Sequence, residues 1–197
     1  MLVDFAFGKI GLPVELPSGY DYRLLEARSA RPVPNENEAI AAALDSPVGT
    51  RPLKDLAVGK NTAAISVCDI TRPVPNRLIL PHVLDRLETT GISRDNITIL
   101  IATGLHRPAT DAEIAEIIGP DLFGKIRVLN HHAKNLAEHS HLGQTSSGTP
   151  VYIDRRFIEA DLHITLGFIE PHLRCGIEKS ANRITPPLSQ SRRQQRP

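Results

Sequence analysis

Three short apolar runs, each ended abruptly by polar residues, constrain this chain more than any other feature. Ala63-Ala-Ile-Ser-Val-Cys68 runs into Asp69-Ile-Thr-Arg-Pro-Val-Pro75. Ile97-Thr-Ile-Leu-Ile-Ala-Thr103 runs into Gly104-Leu-His106-Arg-Pro108, and Leu162-His-Ile-Thr-Leu166 into Gly167-Phe-Ile-Glu-Pro-His172. Runs of this length read as strands, and the second is so apolar and β-branched that both its faces must be covered, as in a parallel sheet. Helical patterns lie between strands, which is the signature of βαβ units. The expectation is an α/β fold with a parallel sheet flanked by helices. Open α/β sheets bind ligands beyond the carboxyl ends of their strands. The three polar motifs fall there together, as one site.

Local signals fill in the rest. Residues 2–17 alternate loosely around Gly8 and Gly11 and suit a hairpin. Residues 37–44 are rich in helix formers, and 52–57 suit a helical turn. Pro75 fits the first turn of a helix carrying Leu78, Ile79, Val83, Leu84 and Leu87 on one face, which Gly91 stops. Thr110-Asp-Ala-Glu113 is a capping box for a helix with Ile114, Ile117 and Ile118. Residues 126–129 form a third strand, 143–150 a turn-rich connection, 151–153 a short strand and 157–160 a helical turn.

Composition removes several classes of function. The formal net charge of +1 gives no general attraction to nucleic acid or membrane, and aromatics at 4% with no Trp argue against base stacking. No apolar stretch approaches the roughly 20 residues that span a bilayer. The N-terminus has no signal-like segment, so a cytoplasmic protein is expected. Cys68 and Cys175 make no disulfide framework, and Cys68 reads as a buried, inert thiol. From 173 to 197 there are six Lys and Arg against one acid. The end of that segment has almost nothing to bury, so it is predicted to be disordered.

Arg72 offers a fork that matches a carboxylate or phosphate, supported by the N–H groups of the helix behind it; the plainer alternative pairs it with Asp69. His106 and His172 sit where a proton carrier would be useful at neutral pH, though either could be a loop histidine bonded to backbone. His131, His132, His139 and His141 lie in a polar connecting segment with no acid or cysteine at ligand spacing, so they read as solvated and no metal ligand is assigned. Gly143-Gln-Thr-Ser-Ser-Gly148 reads as a plain turn, and Arg155-Arg156 as a solvated pair.

With these residues in place, the three motifs resemble the successive signatures of the lactate racemase family, over about residues 12–172. The resemblance implies a Rossmann-like N-terminal domain of a normally two-domain enzyme, with the active site between the domains. It implies a nickel-pincer nucleotide as cofactor, which takes a hydride from the Cα of a 2-hydroxy acid and returns it to the opposite face. By similarity, His106 and His172 match the two acid/base residues. Asp69, Ile70, Thr71 and Arg72 match the segment that contacts the cofactor. The implied partner is a small-molecule 2-hydroxy acid, with no nucleic acid and no membrane.

The resemblance fails at one place. The family continues after its second histidine with a glycine-rich run ending in Gly-Gly-Arg-Lys, whose lysine holds the cofactor covalently, and with a later nickel-ligating histidine. Here the chain reads Leu173-Arg-Cys-Gly-Ile-Glu-Lys-Ser-Ala-Asn182, and no histidine follows His172. Lys179 lacks the glycines that let a backbone approach a ligand, so the covalent role is not transferred to it. The expectation is a racemase-like domain at 1–172 and a divergent basic tail at 173–197. Such a chain would be truncated or frame-shifted, would lack the C-terminal domain that normally packs on it, and would be inactive alone. The alternative is a non-catalytic remnant that binds nucleotide or hydroxy acid.

Overall fold

The computed structural model describes residues 1–8, 10–25, 31–167, 169–172 and 176–179, the last two stretches as backbone. Two compact units are distinguished, Met1–Pro34 and Asn35–Pro197. The first contains the expected hairpin: β1 (Leu2–Phe5) pairs antiparallel with β2 (Leu12–Glu15).

The second unit is built on a four-stranded sheet. Its strands are β3 (Ala63–Cys68), β4 (Ile97–Ala102), β5 (Arg127–Asn130) and β8 (Leu162–Thr165). The order is β5-β4-β3-β8, and every neighbouring pair is parallel. The carboxyl ends of β3, β4 and β8 therefore lie on one edge, as the sequence motifs require.

Side chains alternate between the two faces of each strand. On one face Ile65, Val67, Ile97, Ile99 and Ile101 pack in a core with Leu80, Val83, Leu84 and Leu87 of α3 (Asn76–Glu88) and with Ile114, Ile117 and Ile118 of α4 (Asp111–Ile118). Helices α1 (Glu36–Asp45) and α2 (Leu53–Ala57) add Leu44, Leu53 and Ala57 to the same cluster. Asn35 caps α1 by accepting from the Glu38 N–H. The opposite face carries a smaller cluster of Ala64, Leu100, Ala102 and Phe157, the last from α5 (Arg155–Ile158).

Several boundaries differ from the sequence reading. Pro75 is the residue before α3 rather than its first turn, and Pro81 lies inside that helix on its exposed side. There, its missing N–H costs one backbone bond without burying an orphan. The larger difference is β6 (His139–Gln144), which pairs antiparallel with β7 (Pro150–Asp154) around a bulge between His141 and Gly143. What read as a polar connection holding solvated histidines is half of a hairpin. Backbone strands β9 (Ile169–His172) and β10 (Gly176–Lys179) also pair antiparallel. The side chains of His172 and Lys179, Cys175, and the tail from 180 to 197 lie outside the described residues. Among the described residues no helix is long and apolar enough to cross a membrane.

Candidate functional site

Asp69 leaves β3 at the carboxyl edge and is buried. A buried carboxylate must have its oxygens satisfied. Thr71 does this on one side, donating its hydroxyl to Asp69 Oδ1 at 2.6 Å and its backbone N–H to the same atom at 3.2 Å. His106 does it on the other, with Nδ1 2.5 Å from Asp69 Oδ2. The carboxylate can only accept, so Nδ1 carries a proton, and in the neutral ring the lone pair is on Nε2. The His106 side chain is 43% exposed against 5% for Asp69, so this imidazole is anchored at its base and open at its tip.

The loop that carries His106 is fixed by its own residues. Gly104 turns the chain at φ 57°, where an L side chain costs roughly 1–2 kcal/mol. The His106 N–H bonds the Thr103 carbonyl at 3.0 Å. Asn130, at the end of β5, clamps the following segment: Oδ1 accepts from the Ala109 N–H at 2.8 Å and Nδ2 donates to the Ala109 carbonyl at 3.0 Å. Arg107 points away from this function. It makes two bonds to Glu113 of the capping box, at 2.7 and 2.6 Å. Those bonds, with the Thr110 N–H, hold the Glu113 carboxyl at about 2. Asn130 was not singled out from the sequence, since its role depends on a neighbouring strand.

Beside Asp69 the chain forms an open cleft of about 490 Å³ lined by Ile70, Thr71, Arg72, Pro73 and the start of α3, with Glu116 and Ile117 opposite. Helix α3 has no acid in its first turn and, among the described residues, no side-chain cap and no partner for the buried Asn76 Oδ1. Arg72 and Arg77 both line this space. A helix N-terminus with two nearby guanidinium groups suits an anion. Of the sequence candidates, the structure thus brings Asp69, Thr71 and His106 into contact and sets Ile70 and Arg72 in the adjoining cleft. The backbone of His172 lies in β9, just after β8.

A second histidine cluster overturns the solvated reading of the connecting segment. His131 and His139 are buried, whereas His132 and His141 are exposed. His131 Nδ1 lies 2.8 Å from Asp154 Oδ2, and both side chains are fully buried. Arg156, expected to be half of a solvated pair, bonds Asp154 at 2.9 and 2.6 Å and reaches Glu138 at 2.8 Å. Arg155 donates to the Ala137 carbonyl at 2.6 Å. Burial pushes the Asp154 carboxyl up, but bonds from Arg156 and His131 and their charges outweigh it and hold it well below the usual carboxylate range. The contact with His131 is not visible locally, because Asp154 lies 23 residues away from it.

Comparison with known proteins identifies the domain. Residues 7–194 match the model of the lactate racemase N-terminal domain. The chain is 34% identical to the lactate racemase of Thermoanaerobacterium thermosaccharolyticum over 95% of its own length and 44% of that protein. It is 35% identical to the lactate racemase of Lactiplantibacillus plantarum over 79% of its length and 36% of that protein. The solved lactate racemase apoprotein from T. thermosaccharolyticum superposes with a TM-score of 0.77 at 33% identity, covering 94% of this chain and 44% of that one. A Thermotoga maritima protein shares the fold at a TM-score of 0.58 and 17% identity, covering 76% of this chain and 37% of that one. The chain therefore spans under half the length of the curated relatives it matches. Within that span it belongs to the lactate racemase N-terminal domain family.

Proposed function

We propose that this domain supplies a proton carrier and an anion-binding edge to a racemase or epimerase of 2-hydroxy acids. The observation that carries this reading is the Asp69–His106 pair beside the Arg72 cleft. With Asp69 holding Nδ1–H, the exposed Nε2 of His106 is a base of the right tautomer for a substrate hydroxyl. Asp69 also stabilises the imidazolium that forms when that proton arrives. Return of the proton from the same atom regenerates the starting enantiomer, so the opposite one needs a second carrier. Arg72, half-buried at the cleft, matches the fork geometry of a 2-hydroxy carboxylate or of a phosphate. In this reading His172 is the second proton carrier, serving the opposite enantiomer.

The family implies a nickel-pincer nucleotide, and the described residues suit the phosphate-bearing end of such a group. The acid-free start of α3 and the Arg72 and Arg77 side chains would hold the phosphate, with Asp69, Ile70, Thr71 and Arg72 forming the contacting segment. Held there, that group would supply the hydride acceptor for the substrate. A second reading, a domain that binds nucleotide or hydroxy acid without turnover, is favoured by residues 173–182, which lack the glycine-rich lysine motif. Interconversion of D- and L-lactate, measured with the cofactor supplied, separates the two. Turnover in the unaltered protein that falls by about 10²–10⁴-fold in His106→Gln supports the racemase. Undiminished turnover in His106→Gln removes His106 from the reaction, and cofactor binding without any turnover leaves the binding reading.

A further inference from the structure

We propose that His131 and His139 form a buried binding site for a late first-row transition-metal ion, separate from the His106 cleft. The Nε2 atoms of both rings are buried without a hydrogen-bond partner among the described residues. Leaving one such nitrogen dry and unpaired is costly, and two side by side call for an occupant. The opposite nitrogen of each ring is already oriented. His131 Nδ1 binds the Asp154 carboxylate at 2.8 Å, and His139 Nδ1 binds the Asn135 carbonyl at 2.8 Å. Both acceptors fix the proton on Nδ1 and direct the lone pair to Nε2. This is how metal-ligating histidines are held in general, by a carboxylate or carbonyl on the far nitrogen.

Spacing and charge agree. The two ring centroids are 5.0 Å apart with the planes at 83°. Two imidazoles bound at about 2.0–2.1 Å in a tetrahedral site place their centroids about 5 Å apart. A ring nitrogen of His131 and one of His139 lie within 4.8 Å of each other. Asp154 and Glu138 offset Arg156 and the nearby Arg155, so the surroundings do not repel a cation. Neutral imidazoles without a thiolate suit zinc, copper or nickel rather than magnesium or calcium. Asp154 stays on Nδ1 as the orienting carboxylate, and the ion joins His131 to His139. In doing so, it pins the turn after β5 to β6.

The test is titration of the 197-residue chain with Zn²⁺ alone, followed by calorimetry and by the midpoint of thermal unfolding. The expected result is one equivalent bound and a midpoint that rises with Zn²⁺. His139→Gln should abolish both, Asp154→Asn should weaken binding by about 10–100-fold, and the exposed-site double variant His132→Gln/His141→Gln should bind normally. If His139→Gln fails to fold, zinc-edge X-ray absorption on the double variant decides: two imidazole nitrogens around zinc are expected. Failure to bind zinc, binding that survives in a folded His139→Gln, or a zinc environment without imidazole would each overturn the site.

Discussion

His106–Asp69 and His131–Asp154 are the same pair, an imidazole Nδ1 held by a buried aspartate, in opposite surroundings. In the first, the ring tip is open and the aspartate's other oxygen is held by a neutral threonine. In the second, both side chains are sealed and the aspartate is shared with Arg156. An open tip can exchange protons with a substrate. A sealed tip can only be filled, and its guanidinium partner makes the unit a strut. The pair alone does not determine function; what surrounds Nε2 does.

The sharpest way to break this comparison is to make the same change in both places. His106→Gln is expected to leave the unfolding midpoint nearly unchanged while lowering lactate racemisation by about 10²–10⁴-fold. His131→Gln is expected to lower the midpoint and to reduce turnover only as far as folded protein is lost. Asp69→Asn extends the test. Thr71 donates to Oδ1, so the new amide must present its NH₂ to His106, which moves the ring proton to Nε2 and removes the base. The expected loss is comparable to that of His106→Gln. Equal stability losses at 106 and 131, or a normal rate in Asp69→Asn, would show that the two surroundings do not divide the roles.

Next in size is removal of the buried acid. Asp154→Ala leaves the His131 N–H and the Arg156 guanidinium without their partner, and breaking a buried pair on one side costs about 3–5 kcal/mol. Urea unfolding measures this directly. Acid sharpens the same point. The folded Asp154 carboxyl titrates well below the usual range, so the unfolded chain takes up its proton first as the pH falls. The stabilisation is complete above about pH 4 and is lost progressively below it, at no more than about 1.4 kcal/mol per pH unit. Asp154→Asn should flatten the urea midpoint below pH 4 relative to the unaltered chain. An unchanged acid limb would mean that other carboxylates, such as Glu113, dominate it.

The sequence made the first region legible and hid the second. Strands β3 and β4 announce themselves by uninterrupted apolar runs, and α4 by its capping box, because these signals are local. The candidate residues at 69–72 and 106 are picked out by position, each just past a strand end. What could not be read was the partner of each. Asp69 could as well have paired with Arg72, and its contact with His106 spans 37 residues. Strand β6 carries almost none of the β-branched residues that mark strands, and pairing with β7 imposes its conformation. His131 and His139 look like ordinary polar residues until that hairpin closes over them.

The smallest predicted effect tests whether the two regions communicate. Thr103 follows β4, is buried, and donates its hydroxyl to the His131 carbonyl at 2.5 Å. Its own carbonyl receives the His106 N–H at 3.0 Å. One residue thus touches both histidines, through its side chain on one side and its backbone on the other. Thr103→Val keeps the shape and the backbone bond but deletes the hydroxyl. The expected cost is that of one hydrogen bond, about 0.5–1.5 kcal/mol, seen as a lower urea midpoint. Because His106 is set by Asp69 and by backbone rather than by that hydroxyl, the racemisation rate should stay within a few-fold. A rate loss near that of Asp69→Asn, at so small a cost in stability, would mean that the buried histidine positions the exposed one, and the two regions would have to be treated as a single device.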